Sequence, residues 1–442
     1  MTSTADHAAP DGRNASAGGD DIHHVSPSDI AVGVVIGRTS EFFDFFVFAI
    51  ASVIVFPQRL FPFADPYTAT IYSFCIFALA FLARPVGTAI FLAIDRLHGR
   101  VAKLTIALFV LGTSTVAMGL VPSYDTAGWL AIASLCILRI GQGIALGGSW
   151  DGLASLLALT APKDKRGFYA MVPQLGAPIG LIVATLLFAF LVGSLPAVDF
   201  LDWGWRYPFF VAFAINVVAL FARLRIVATE EYEALFQQRE LQPSRLRETI
   251  RVNIRTLILG IFVPLSAFAL FHMTSVFPLS WVFLYTDEEV TGFLMIEALG
   301  AGFGLLAVVA SGYLADRIGR RRVLTISAWG VAGFAILAPL LLSGDAAGET
   351  IYMVVGFIIL GLGFGQSSGA VASLFETQSR YTASAVVSDL SWLFGAGFAP
   401  LTALLLTHWF GLPAAGLYLL SGAICTLIAL WFFGRMMSHL EG

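Results

Sequence analysis

Three apolar stretches of this chain carry arginines and acids where a lipid-embedded segment ordinarily carries none. Arg38, Glu41 and Asp44 follow one another at i, i+3 and i+6, so a helix brings all three near one face. Arg84 stands before Pro85 in a second stretch; Arg139 lies deep in a third, with Gln142 one turn further on the same side. Arginine keeps its proton in proteins, so each needs an anionic or strongly polar partner. That partner is either a resident carboxylate or a carboxylate on a bound molecule, which the guanidinium fork grips bidentately. Arg38, nearer the end of its stretch, is expected to pair with Glu41. Arg84, Arg139 and Gln142 are expected to contact a small-molecule substrate, although Pro85 also indicates a helix distortion.

Proton exchange needs an acid whose surroundings change. Burial raises a carboxylate's pKa and a neighbouring arginine lowers it, so an acid that loses its arginine to a substrate can take up a proton. Glu41 and Asp44 lead the candidates for proton coupling, followed by Asp151. Glu297 and Asp389 fall in the same class, near the ends of their stretches. His272, a lone histidine in an apolar helix, reads as a packing residue.

The elements that must position these groups are long and apolar. Hydrophobic residues make up 58% of the 442 residues and charged residues 12%, against about 25% charged in soluble globular chains. The deficit falls in runs of roughly 20 residues, each enough to cross a hydrocarbon core of about 30 Å. Twelve such spans are predicted, at 30–57, 69–94, 103–121, 128–159, 167–193, 205–226, 255–284, 290–314, 322–343, 350–375, 382–407 and 413–434. The fold class is therefore an all-α polytopic membrane protein. Arg59 and Arg206 fall in the loops of one side and nearly all other cations in the tails and loops of the other, which predicts both termini in the cytoplasm. Residues 1–29 read as a disordered cytoplasmic tail with no signal-peptide pattern, and 435–442 as a short cytoplasmic tail.

The longest polar break, 227–253, is a charged and partly helical linker that divides the spans into 30–226 and 254–434. An internal echo supports the division. GIALGGSWDGLASL at 143–156 aligns with GLGFGQSSGAVASL at 361–374, and Asp95-Arg96 opens one loop as Asp316-Arg317 opens another. Two repeated six-helix bundles would place a substrate path along their shared interface.

GYLADRIGRRR at 312–322 resembles the short basic loop of the major facilitator superfamily, with DRLHGRVAK at 95–103 as its first-half counterpart. Gly319 permits a tight turn, and Asp316 at a helix end can pair with arginines or with a neighbouring helix's positive N-terminus. Within that superfamily, IGRTSEFFDFF at 36–46, Arg84-Pro85, RIGQGIALGGSWDG at 139–152, KRGFYAMVPQLGAPIG at 165–180 and RYTASAVVSDLSWLFGAGFAPL at 380–401 are similar to the metabolite:proton symporter family. Its members carry shikimate, α-ketoglutarate, citrate, and proline or betaine. Ser149, Ser373 and Glu376 depart from the family's usual residues. The resemblance implies two pseudo-symmetric six-helix bundles and alternating access driven by protons. It implies gating roles for Asp95, Arg96, Asp316, Arg317, Gly319 and Arg320, holding the outward-open form, and substrate contact for Gln174.

Other classes find little in the residues. Cys75, Cys136 and Cys425 fall inside apolar spans, and no Cys/His cluster has metal spacing. There is no nucleophile–base constellation, no phosphate-binding glycine loop and no nucleic-acid surface, so neither enzyme nor cofactor is expected. The expected partners are a small carboxylate-bearing metabolite, protons and membrane lipid, in the inner membrane, with a monomer sufficient for function. Efflux by the same fold and a non-transporting solute sensor are the alternatives.

Overall fold

The computed structural model describes residues 27–149, 157, 161–227 and 242–440. Within them all regular structure is helical. The long helices are α1 (Pro27–Ile54), α2 (Pro66–Met118), α3 (Trp129–Gly148), α4 (Arg166–Ser194), α5 (Tyr207–Val227), α6 (Leu246–Phe262), α7 (Leu265–Tyr285), α8 (Val290–Ile318), α9 (Arg320–Leu342), α10 (Ala346–Ala372), α11 (Gln378–Phe410) and α12 (Pro413–Leu440). Ten of the described helices are long and apolar enough to cross a membrane. The 53-residue α2 breaks at Gly99, where φ is 80°, and its two arms make the second and third crossings. Only glycine takes that backbone turn without strain. α1 adds the first crossing despite its three mid-helix charges, and α6 runs on into α7, so the described residues make twelve crossings.

Several predicted spans differ in detail. α3 runs to Gly148, and nearly all of the rest of its predicted span, to 159, lies outside the described residues. The seventh span is broken twice, at Pro264 and at Val276 before Pro278, because proline cannot donate the bond that would continue the helix. The tenth runs over Ala346–Ala372 rather than 350–375, and Asp345 caps its first turn by accepting from the Gly348 N–H at 3.0 Å. The eleventh carries a π-turn at Leu393–Gly397 ahead of Pro400.

The internal echo has a packing cause. A β-carbon at Gly143 would collide with the backbone of Ala80, which lets α3 close against α2. Its counterpart Gly361 lies equally close to Gly304 and Ala307, which brings α10 against α8. Small residues at such crossings allow helix backbones to approach in a membrane. The first six crossings and the last six thus form two pseudo-symmetric bundles, with an aromatic core of Phe42, Phe45, Phe46, Phe271, Phe364 and Trp392 where they meet.

Candidate functional site

A cavity lies at the bundle interface, lined by Arg38, Glu41, Phe42, Phe45, Phe81, Arg84 and Ser149 of the first half and by Trp392 of the second. The two acids of α1, Glu41 at the cavity wall and Asp44 away from it, sit in unlike settings. Glu41 is clamped: Arg38 Nη1 lies 2.5 Å from Oε2 and Arg223 Nη2 lies 2.6 Å from Oε1. Asp44, one turn deeper, is 1% exposed. Its Oδ2 accepts from Asn216 Nδ2 at 2.6 Å and from the Thr115 hydroxyl at 3.1 Å, while Oδ1 has no hydrogen-bond partner among the described residues.

Arg139 and Gln142 do not line the cavity. Arg139 is fully buried behind Phe45, with its guanidinium 3.8 Å from the Phe48 ring centroid and 5.7 Å from that of Phe45. Its nitrogens donate to the Phe77 carbonyl at 3.2 and 3.3 Å and to Gln142 Oε1. Gln142 Nε2 donates in turn to Thr115 Oγ1 at 3.1 Å. A hydrogen-bonded path thereby connects Arg139 to Asp44 through two neutral side chains. Arg84 does reach the cavity, and crosses the interface to Asp389 at 2.7 Å. Gln174 turns away and donates to Ser368 Oγ of the second half at 2.5 Å. Asp151 lies outside the described residues.

Sequence reasoning grouped Arg223 with the loop cations, but it is buried against Glu41, and a β-carbon on Gly37 would run into its guanidinium. Asn216, seven residues earlier and so on the same helix face, was also missed. An asparagine and an arginine two turns apart in an apolar helix were the available signal.

The two basic loops join the halves at one end. Asp316 accepts from the Gly167 and Phe168 amides at 2.6 and 3.0 Å, on the first turn of α4, where unpaired N–H groups favour an anion. Gly319 has φ 86° and starts α9, and Arg320 donates to Gly369 O at 2.7 Å and Arg166 O at 3.3 Å. Arg317 is exposed. In the first-half loop, Asp95 is buried between Arg100 at 3.3 Å and Lys103 at 3.6 Å and accepts from Tyr381 of the second half at 3.3 Å. Arg96 donates to Ser244 O at 3.0 Å, and the Ser244 amide donates to Thr382. The halves also touch at the opposite end, where Tyr67 stacks on His408 with centroids 4.0 Å apart. The loop contacts and the Tyr67–His408 contact thus lie at opposite ends of the bundle interface.

Residues 34–387 match the Major Facilitator Superfamily. The chain is 37% identical to the inner membrane metabolite transport protein YhjE of Escherichia coli (strain K12), over 92% of this chain and 93% of that protein. It is 29% identical to the shikimate transporter of the same organism, over 89% and 91%. The solved proton:xylose symporter XylE, bound to 6-bromo-6-deoxy-D-glucose, superposes with a TM-score of 0.68 at 19% identity, over 92% of this chain and 95% of that one. A twelve-crossing fold with a charged chamber between its halves, and relatives matching it nearly end to end, make this chain a transporter that belongs to the Major Facilitator Superfamily.

Proposed function

We propose that the chain is a proton-coupled symporter that imports a small polar metabolite bearing a carboxylate across the inner membrane. Its basic end and both termini face the cytoplasm, and one chain holds the whole path. The observation that carries this reading is the contrast between Glu41, clamped by Arg38 and Arg223, and Asp44, buried with only neutral donors in contact among the described residues. A clamped carboxylate fixes the arginines in place. An acid without a cation beside it suits a proton that boards and leaves, and Asp44 is the carrier in this mechanism.

The cargo's carboxylate enters the chamber and meets the guanidinium of Arg84, with Arg38 at the rim. Arg139 acts behind Phe45 by holding Gln142 and Thr115, which orient Asp44. With proton and cargo aboard, the bundles rock, the Asp316 and Asp95 contacts open, and the chamber faces the cytoplasm. For a cargo whose only charge is one carboxylate, one proton leaves no net charge to move, so one pH unit, about 1.4 kcal/mol, sustains about tenfold accumulation.

The test is uptake into proteoliposomes of shikimate, 2-oxoglutarate, citrate and glycine betaine, each screened first by thermal shift. Accumulation of a stabilising carboxylate should vanish when the pH gradient is collapsed. Asp44→Asn should lose accumulation while keeping exchange of labelled for unlabelled cargo. Uptake indifferent to the gradient, or an Asp44→Asn protein that accumulates like the parent, overturns proton coupling; a screen in which none of the carboxylates binds overturns the substrate class.

A further inference from the structure

The pair between Arg84 and Asp389 bridges the two bundles at the wall of the chamber. Arg84 belongs to α2 in the first half, Asp389 to α11 in the second, and both are largely buried, at 14% and 4% side-chain exposure. Buried ion pairs within a half, such as Glu41 with Arg223, hold one bundle together. This one joins bodies that must separate during transport.

Its geometry is incomplete in an informative way. Asp389 Oδ1 lies 2.7 Å from Arg84 Nε, yet that N–H has no aligned hydrogen bond. The other carboxylate oxygen is taken by the Thr88 hydroxyl. Asp389 therefore neutralises the guanidinium without engaging its fork in the two parallel bonds that an arginine and a carboxylate make when free to choose. Arg84 also lines the chamber, and Trp392, one turn after Asp389, lines it too, with its ring 6.0 Å from the guanidinium. A π-turn begins at Leu393, directly after Trp392, and such turns interrupt a helix where function needs local adjustment.

We infer that Asp389 occupies on Arg84 the place that the cargo's carboxylate takes, so that cargo binding exchanges one carboxylate for another and thereby unties α11 from α2. The inference rests on the carboxylate reading given above and adds the group that the cargo must displace. It explains why an inward-facing arginine can wait in an empty carrier without an uncompensated charge. It also makes closure of the chamber and occupancy by cargo alternatives at one cation.

Chemical rescue tests it with acetate as the probe. Purified full-length Asp389→Ala should be destabilised relative to the parent. Acetate should raise its unfolding temperature in a dose-dependent way that chloride at equal ionic strength does not match. The double variant Arg84→Gln/Asp389→Ala should not respond to acetate. Asp389→Asn, which keeps the shape of the side chain, should show the same acetate-specific stabilisation and supplies the answer if the alanine variant does not fold. Equal effects of acetate and chloride on these variants, or a response that survives loss of Arg84, overturns the inference. Failed rescue alongside intact carboxylate uptake by the parent sinks only the exchange at Arg84. Rescue alongside a parent that moves no carboxylate sinks the earlier reading instead.

Discussion

The two halves share a scaffold and differ in what they bury. In the first, one set of ion pairs joins Glu41 to Arg38 and Arg223, a set of hydrogen bonds joins Asp44 to Asn216 and, through Thr115 and Gln142, to Arg139, and Arg84 stands at the chamber wall. In the second, the facing surface is aromatic: Trp392 lies 4.6 Å from Phe268 and 5.0 Å from Phe271, and Phe271 stacks on Phe46 across the interface at 5.7 Å. Asp389 reaches from that half to Arg84 of the first, while Glu297 is fully buried with both oxygens lacking a hydrogen-bond partner among the described residues. The glycine crossings at Gly143 and Gly361 show that the helices pack alike in both halves. Directional bonds hold one half in a fixed arrangement, whereas apolar contact is non-directional and lets surfaces slide. In the mechanism proposed above, the first half recognises the cargo and the second moves against it.

The largest expected effect is on the recognising side. Glu41→Gln removes the carboxylate that faces both Arg38 and Arg223, and removing one partner of a buried ion pair costs about 3–5 kcal/mol. Thermal unfolding of the purified variant should show a loss well beyond that of Phe271→Leu, a modest change of shape in the aromatic wall. If the two variants unfold alike, the contrast between a bonded half and a sliding half is wrong.

A smaller effect is expected at the loops, which differ in the same spirit. Asp95 is sunk among Arg100, Lys103 and Tyr381, while Asp316 holds two backbone amides of α4 from an exposed helix end. Hydrogen bonds to a charged group contribute about 1.5–3 kcal/mol each, so Asp316→Asn should shift the closed–open balance by roughly tenfold or more. The readout is the labelling rate of a Ser149→Cys reporter in the chamber by an impermeant maleimide. Arg317→Gln, one residue on and exposed, should leave that rate unchanged. Equal effects from both substitutions would reduce the loop to a topology signal.

Helical spacing made part of this legible. It put Arg38 beside Glu41 and Gln142 beside Arg139, and Asp316 could be matched to a helix N-terminus because a basic turn with glycine follows it. The repeat in 143–156 and 361–374 was readable because close helix crossings demand the same small residues. What was hidden depends on packing between distant segments. Periodicity places Arg139 on a face, but the packing of the Phe45 and Phe48 rings against it decides that this face is sealed from the chamber. Arg223 was hidden by its place near a span end, where a cation ordinarily reaches water. Asp389 meets Arg84, and Gln174 meets Ser368, across the bundle interface, a relation no local spacing encodes.

The smallest effect tests whether the second half takes any part in proton handling. His272 is fully buried, its ring stacked on Phe45 at 5.2 Å and 7°, with Nδ1 2.7 Å from the Ala396 carbonyl in the π-turn and Nε2 without a partner among the described residues. It thus has one hydrogen bond to lose and a planar packing role that an apolar side chain partly fills. His272→Leu should cost about 0.5–1.5 kcal/mol, the net worth of that bond, and should leave the pH dependence of uptake where it was. Asp44→Asn should abolish the same dependence. The sign of the comparison reverses if the leucine variant loses pH sensitivity while Asp44→Asn keeps it, for then the aromatic half carries the proton and the charged half only the cargo.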